Sequence, residues 1–232
     1  MYKSIYLIRR NPALSPEQFR ERWKQHSALT GTTQRIRPYF TQVVQCARSD
    51  YAGPADATAA FDGANLLGLV DRAGGYGVFE EPEHGDIMLP DELATFSGPI
   101  KDSTLVTREH VCKPGPLTRH LILRFLKFAG GAGQEATFSR WCERQAERDV
   151  HGPAAGRVRR SVANRVVEPA PAELVFDLVT ETWFADPEAL ATHSRDAHSQ
   201  TALDEAIGAF CDPTRTVTFV AHVNHSRPAI ED

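Results

Sequence analysis

The pattern of apolar and polar positions predicts the same succession of elements twice along the chain. Runs rich in Ile, Leu, Val and aromatic residues, bounded by polar or turn-forming residues, are typical of strands. In the first half, this pattern predicts strands at 3–9, 62–70 and 104–111. In the second half, it predicts their counterparts at 120–128, 176–184 and 216–223. Each half is therefore expected to run strand, helix, strand, strand, helix, strand.

The first helix has the clearest start in the sequence. Ser15 and Gln18 have the spacing of a capping box, and Pro16 stands at the first helical position. Inside the helix, helical spacing relates three residues with ring side chains, Phe19, Trp23 and His26. This spacing places the three side chains on one helix face, which we expect to pack on a sheet.

Matching landmarks recur in the same order in both halves, with an offset that drifts from 112 to 122 residues. His110 corresponds to His222, and the Asp91–Glu92 pair corresponds to Asp204–Glu205. The order and spacing indicate an internal repeat with units at 1–113 and 117–232, joined by the Pro/Gly linker 113–116. The predicted fold class is α+β, with two ferredoxin-like βαββαβ units whose bare sheet faces cover each other.

Composition narrows the function classes. The 232 residues are 41% hydrophobic and 24% charged, which is ordinary for a globular domain. A net charge of −4, without a block of five like charges, gives no support for nucleic-acid binding or a polybasic membrane patch. No uncharged apolar run of 18 residues occurs, and the charged start MYKSIYLIRR is unlike a signal peptide. We expect a cytoplasmic protein that binds a small molecule or another protein.

The cysteines suggest no metal site from their spacing along the chain. Cys46, Cys112, Cys142 and Cys211 form neither a CxxC pair nor a zinc-binding pattern. Free structural thiols and no metal are therefore predicted.

The N-terminal segment resembles a known family. Ile8 to Trp23 followed by His26, and the closing strand Val106 to Val111 with its Glu-His-Val ending, resemble an EthD-family domain. The second half resembles the family more faintly, through Trp141 and His151 with the following Gly-Pro. This resemblance implies a dimeric α/β barrel, here formed within one chain. Relatives that share the barrel include cofactor-independent decarboxylases, cyclases and isomerases, quinone-forming monooxygenases and haem-binding enzymes.

Histidines are the main candidates for acid–base chemistry, because an imidazole exchanges protons near neutral pH. The candidate catalytic residues are His26, His110, His222, His151 and Glu181. Each also has a structural interpretation: a satisfied core histidine, or, for Glu181, a solvated carboxylate on an outward strand face. The Asp91–Glu92 pair is expected to be helix surface or cap.

Aromatic residues and one aspartate are the candidates for substrate contact. They are Trp23, Tyr6, Tyr39, Tyr76, Asp177 and Trp183. The irregular segment 74–89 is a candidate lid, and divergence between the halves favours one pocket.

The sequence favours a cofactor-independent lyase or isomerase that acts on an aromatic or polyketide-like molecule. One alternative is an oxidoreductase, haem-binding or a cofactorless monooxygenase, in aromatic or ether degradation. A second alternative is a non-catalytic module that binds a hydrophobic ligand. The chain is expected to be a monomer, or a homodimer through a surface outside the intrachain barrel.

Overall fold

The computed structural model describes residues 1–51, 53–130, 134–170 and 175–230. Eight strands lie within these residues. They are β1 (Tyr2–Ile8), β2 (Phe40–Arg48), β3 (Gly63–Leu69), β4 (Thr104–Lys113), β5 (His120–Phe128), β6 (Val158–Glu168), β7 (Leu178–Phe184) and β8 (Cys211–Arg227). The predicted strands are confirmed with shifted ends, and the last is much longer than predicted.

All the strands form one closed antiparallel barrel, in the order β1-β3-β2-β8-β5-β7-β6-β4. The prediction of two ferredoxin-like units packed as an intrachain dimeric α/β barrel is therefore wrong. Two pairings between the halves join the sheet into one: β2 with β8, where Cys46 pairs with Val223, and β4 with β6, where His110 pairs with Ala163. A sheet edge carries unpaired amide and carbonyl groups, and closing the barrel removes every such edge.

The strand order nevertheless repeats within the barrel. The sequence of neighbours β4-β1-β3-β2 recurs as β8-β5-β7-β6, each strand number being raised by four. The division into units at 113–116 stays a prediction, and this segment connects β4 to β5.

Alternation along the strands separates an interior core from an outer face. On β1, Ile5 and Leu7 point into the barrel, where they join a cluster that includes Leu123 and Phe219. Tyr6, between them, belongs to a different cluster on the outer face. Successive residues of a strand point to opposite sides of the sheet, so the helices can cover only the side chains on the outer face.

The helices pack on the outside of this barrel. Those described are α1 (Pro16–Thr32), α2 (Gly74–Gly77), α3 (Leu89–Thr95), α4 (Gln134–Ala146), α5 (Pro187–Arg195) and α6 (Ala197–Phe210). Within the described part of the chain, no helix is both long and apolar enough to cross a membrane.

Helix α1 begins as its sequence predicts. Ser15 Oγ accepts from the Gln18 amide at 3.2 Å, and the Gln18 side chain accepts from the Ser15 amide at 2.8 Å. Phe19, Trp23 and His26 are all buried on the face that packs on the sheet. The predicted cap and the predicted helix face are both confirmed.

Ser15→Ala is expected to lower the free energy of unfolding by about 1 kcal/mol, because the first helical turn loses its side-chain acceptor. Urea unfolding measures the change. Ser139→Ala, in the exposed middle of α4, serves as the control and should change stability much less. Equal losses in both variants would contradict the capping role.

The predicted lid segment is ordered as a succession of short helical turns. Helix α2 is followed by a 3₁₀ turn at Val78–Glu80, a π-helical turn at His84–Met88 and then α3. Contacts between α1 and α3, and between α2 and β4, hold the segment over the outer face of the first-half strands. This arrangement encloses a space between sheet, α1 and α3.

Candidate active site

A cavity lies between the outer face of the first-half strands, α1 and the segment 78–100. It contains about 590 Å³ of space free of protein atoms, a volume that includes the open solvent at its mouth. Apolar side chains form most of the wall, among them Ile36, Phe40, Val43, Leu67, Phe79 and Met88. Polar side chains also reach it, among them Ser4, Tyr6, His26, Gln45, Asn65, His84 and Glu92.

His26 is held by a carboxylate. Its Nδ1 lies 2.7 Å from Asp91 Oδ2, and Arg22 donates to Asp91 Oδ1 at 2.5 Å. The hydrogen bond from His26, helped by the Arg22 charge and opposed by partial burial, lowers the pKa of the Asp91 carboxyl. An ionised Asp91 accepts the Nδ1 proton, so the lone pair of a neutral imidazole is on Nε2. Asp91 therefore fixes the orientation of the His26 imidazole at the cavity wall, an arrangement that can serve a general base.

Tyr6 provides a hydrogen-bond donor. The Asn65 amide donates to the Tyr6 hydroxyl oxygen at 2.6 Å, which leaves the hydroxyl proton available to another acceptor. Burial raises the pKa of Tyr6. The Asn65 hydrogen bond partly offsets this rise, and the nearby Glu92 charge adds to it. The phenol stays protonated at neutral pH and can donate to an oxygen of a bound molecule.

Several buried polar atoms on cavity-lining side chains have no protein partner. Within the described residues, Ser4 Oγ, Gln45 Oε1 and Asn65 Oδ1 accept or donate no hydrogen bond. Leaving a buried polar group unsatisfied costs about 1–3 kcal/mol, so such groups are normally met by water or a ligand. Their positions suit a bound molecule that carries hydroxyl groups.

A second histidine–carboxylate pair completes the polar lining. His84 Nε2 lies 3.0 Å from Glu92 Oε1, and Glu92 Oε2 accepts from the Ile100 amide at 3.3 Å. The His84 ring packs edge-on against Phe79 with ring centroids 5.0 Å apart. This pair links the π-helical turn to α3 within the segment 78–100, the covering segment of the cavity.

The other N-terminal candidates lie near the cavity but outside its lining. Trp23 is fully buried behind His26 and stacks on Phe19 with centroids 5.3 Å apart. Tyr39 donates to Glu81 at 2.7 Å. Tyr76 donates to main-chain carbonyls, one of them Thr104 at 2.7 Å. All three have structural contacts that account for their positions.

Glu181 and Trp183 lie inside the barrel, on the opposite side of the sheet from the cavity. Glu181 accepts from Lys3 Nζ at 2.6 Å, from Asn164 at 2.8 Å and from Trp183 Nε1 at 2.9 Å. Burial raises the pKa of Glu181, but the Lys3 charge and these hydrogen bonds outweigh it and lower the pKa overall. Lys3 also pairs with Glu109 at 2.6 Å. The group is an ion-paired cluster in the core.

The remaining candidates are dispersed. Asp177 accepts from Lys127 Nζ and the Phe128 amide, both at 2.9 Å, and so joins strand ends. His222 is half-buried beside His120 on the neighbouring strand, and burial lowers its pKa. His151 is exposed on an outer cleft beside α6.

His110 is exposed on β4, with its ring edge-on to Phe138. Of the predicted site residues, the structure thus brings only His26 and Tyr6 together at the cavity.

The residues on the covering segment were not predicted from the sequence. Asp91 and Glu92 were expected to be helix surface or cap, yet Asp91 binds His26 and Glu92 is buried at the cavity. His84 was not singled out. For the sheet side of the cavity, the sequence did contain a local signal. Ser4 and Tyr6 are two positions apart on β1, so their side chains lie on the same outer face.

Comparison with known proteins gives relatives by structure alone. No family model matches the chain, and no curated protein matches its sequence. A solved anthrone oxidase-like protein superposes with a TM-score of 0.67 at 11% identity, covering 97% of this chain and 92% of that one.

Two further solved structures carry the description "putative monooxygenase". The protein from Lactobacillus acidophilus NCFM has a TM-score of 0.55 at 8% identity, covering 97% of this chain and 94% of that one. The protein from Fusobacterium nucleatum has a TM-score of 0.58 at 6% identity, covering 97% and 93%. At these identities the likeness shows a shared fold. Membership of the EthD family stays a prediction.

The comparisons correct the leading functional prediction. The descriptions of these three neighbours name oxidase and monooxygenase proteins and no lyase or decarboxylase. The lyase and decarboxylase predictions therefore have no support among these neighbours, whose names agree with the oxidoreductase alternative.

Proposed function

We propose that the chain is an oxidoreductase that oxidises a hydroxylated aromatic substrate with dioxygen, without a bound cofactor. The observation that carries the proposal is the His26–Asp91 pair at the wall of an apolar cavity. A histidine fixed by a carboxylate is suited to abstract a proton, and aromatic carbanions formed in this way can react with dioxygen directly.

The cavity lining favours an aromatic substrate that carries oxygen atoms. Phe40, Leu67 and Met88 offer apolar contact to rings. The unpartnered oxygens of Gln45 and Asn65 would accept from substrate hydroxyl groups. Since one structural neighbour is named an anthrone oxidase-like protein, hydroxylated tricyclic ketones of the anthrone class are the first compounds to test.

The proposed reaction begins with proton removal by His26 Nε2 from a CH₂ group flanked by two aromatic rings. The carbanion is delocalised onto the carbonyl oxygen, to which Tyr6 donates its hydroxyl proton. Electron transfer to dioxygen and bond formation at the carbon give a hydroperoxide, which takes its proton from protonated His26. Loss of water then leaves the quinone, so that CH₂ and O₂ become C=O and H₂O.

The lining argues against the haem alternative. His26 and His84 offer imidazoles, but among the described residues the lining contains no lysine or arginine to pair with haem propionates. A visible absorption spectrum of the purified protein should therefore lack a Soret band, and the presence of that band would contradict a cofactor-free reaction.

Oxygen uptake with a hydroxylated anthrone tests the proposal. We expect enzyme-dependent consumption of dioxygen above autoxidation, equimolar quinone formation, and no loss of rate after treatment with a chelator. Tight binding of the anthrone without oxygen uptake would contradict the proposal and support the ligand-binding alternative.

Tyr6→Phe is expected to lower kcat/KM by about 10-fold or more, because the developing oxyanion loses a hydrogen bond from the phenol. Steady-state oxygen uptake measures the effect. Tyr51→Phe, which alters an exposed tyrosine whose ring lies edge-on to His120 outside the cavity, is the matched control. If both variants retain full activity, Tyr6 is not the donor.

A further inference from the structure

A second cluster of chemically active side chains lies on the opposite end of β4 from the cavity. His110 and Cys112 share one face of β4, and Cys142 on α4 packs over them. One ligand atom from each residue lies within 4.8 Å of the other two. Both cysteines are buried and free.

The three side chains form a donor set that suits a metal ion. Two sulfurs and an imidazole nitrogen are the ligands of a Cys₂His zinc centre, in which zinc binds at about 2.3 Å to sulfur and about 2.0 Å to nitrogen. Donors around one tetrahedral ion are thus roughly 3.5 Å apart. Ligand atoms already within 4.8 Å of one another therefore need only small side-chain movements to bind an ion.

The surroundings leave one coordination position accessible. His110 and Cys142 line an outer cleft together with Phe138 and Glu143, so an ion held by the three side chains would face solvent. The Phe138 ring packs edge-on to His110 with centroids 6.2 Å apart and limits the directions that the imidazole can take. Three protein ligands with an open fourth position characterise zinc sites that exchange or activate a water molecule.

We propose that His110, Cys112 and Cys142 bind a single Zn²⁺ ion, with the fourth position open to the cleft. The His110 imidazole distinguishes this cluster from a simple thiol pair, because a disulfide between Cys112 and Cys142 would not involve the imidazole. The site is separate from the oxidation cavity, whose residue on the same strand is Thr104. The spacing of the cysteines along the chain does not reveal this site, since Cys112 lies on β4 and Cys142 lies on α4.

Cobalt binding by the reduced full-length protein tests the proposal. Titration with Co²⁺ alone should give one bound ion per chain and a thiolate-to-cobalt charge-transfer absorption, and added Zn²⁺ should displace it. Cys112→Ser and Cys142→Ser should each lose this absorption. His110→Ala should weaken binding by more than the roughly 10–100-fold that follows loss of an outer-shell partner.

Cys211→Ser is the matched control, because Cys211 is a buried free cysteine of the same apolar cluster that lies outside the trio. It should bind Co²⁺ like the unmodified protein, with circular dichroism confirming that every variant is folded. Absence of the charge-transfer absorption in the unmodified protein would overturn the proposal. So would its persistence in Cys142→Ser, or a Cys112–Cys142 disulfide that remains under the same reductant.

Discussion

Replacement of His26 by glutamine is expected to lower the rate of substrate oxidation by at least about 100-fold, with the fold intact. Glutamine keeps similar size and polarity but cannot take up the substrate proton. Oxygen uptake with a hydroxylated anthrone measures kcat and KM, and the loss should fall mainly on kcat because proton removal, not binding, is impaired. Asp91→Asn should have a smaller effect of the same kind, since the imidazolium loses its counter-charge.

His193→Gln is the matched control for this variant. His193 and His26 are equally buried, both at 5% exposure, but His193 packs against Phe184 on the other half of the barrel. Burial lowers the pKa of His193 to about 4, so neither histidine nor glutamine is charged there at neutral pH. Full activity in His26→Gln, or an equal loss in both variants, would rule out His26 as the base.

Lys3→Met is expected to lower the free energy of unfolding by about 3–5 kcal/mol at neutral pH, because it leaves the buried Glu181 without a cation and Glu109 with only Arg160, 3.6 Å away. Chemical denaturation measures the loss. Lys101→Met removes a cation from the exposed pair with Glu80 and should cost at most about 1 kcal/mol. Equal effects of the two substitutions would show that the interior ion pairs do not hold the barrel together.

The dependence on pH gives a further check of this cluster. The pKa of Glu181 in the folded protein lies below its ordinary value of 4.5. Its contribution to stability is therefore complete above that value and is lost as the pH falls through the lowered pKa. Glu181→Gln should accordingly lose stability relative to the unmodified protein near neutral pH, and the difference should shrink under acid conditions.

Local sequence signals predicted local structure well. The capping box at Ser15 and the helical spacing of Phe19, Trp23 and His26 were sufficient to define α1 and its buried face. These features depend on residues within a few positions of one another, where backbone geometry alone decides which side chains meet. Barrel closure could not be predicted in this way, because the β2–β8 and β4–β6 pairings join strands that are distant in sequence.

The same limit explains why the candidate site was only half predicted. His26 was recognised from its place on α1, but its partner Asp91 is 65 positions away and arrives through the fold of the covering segment. Strand alternation puts Glu181 and Trp183 on one face of β7. It could not reveal that Lys3, 178 positions away, would neutralise the carboxylate inside a closed barrel.

Helix α3 has two tasks in the site, because the chain that covers the cavity also carries the carboxylate that holds His26. Asp91 reaches His26 only while α3 lies against α1, and Met88 and Glu92 close the cavity from the same position. A displacement that admitted a substrate would separate Asp91 from the imidazole. On the proposed function, a displacement of α3 would therefore weaken the base and admit bulk water to the cavity at the same time.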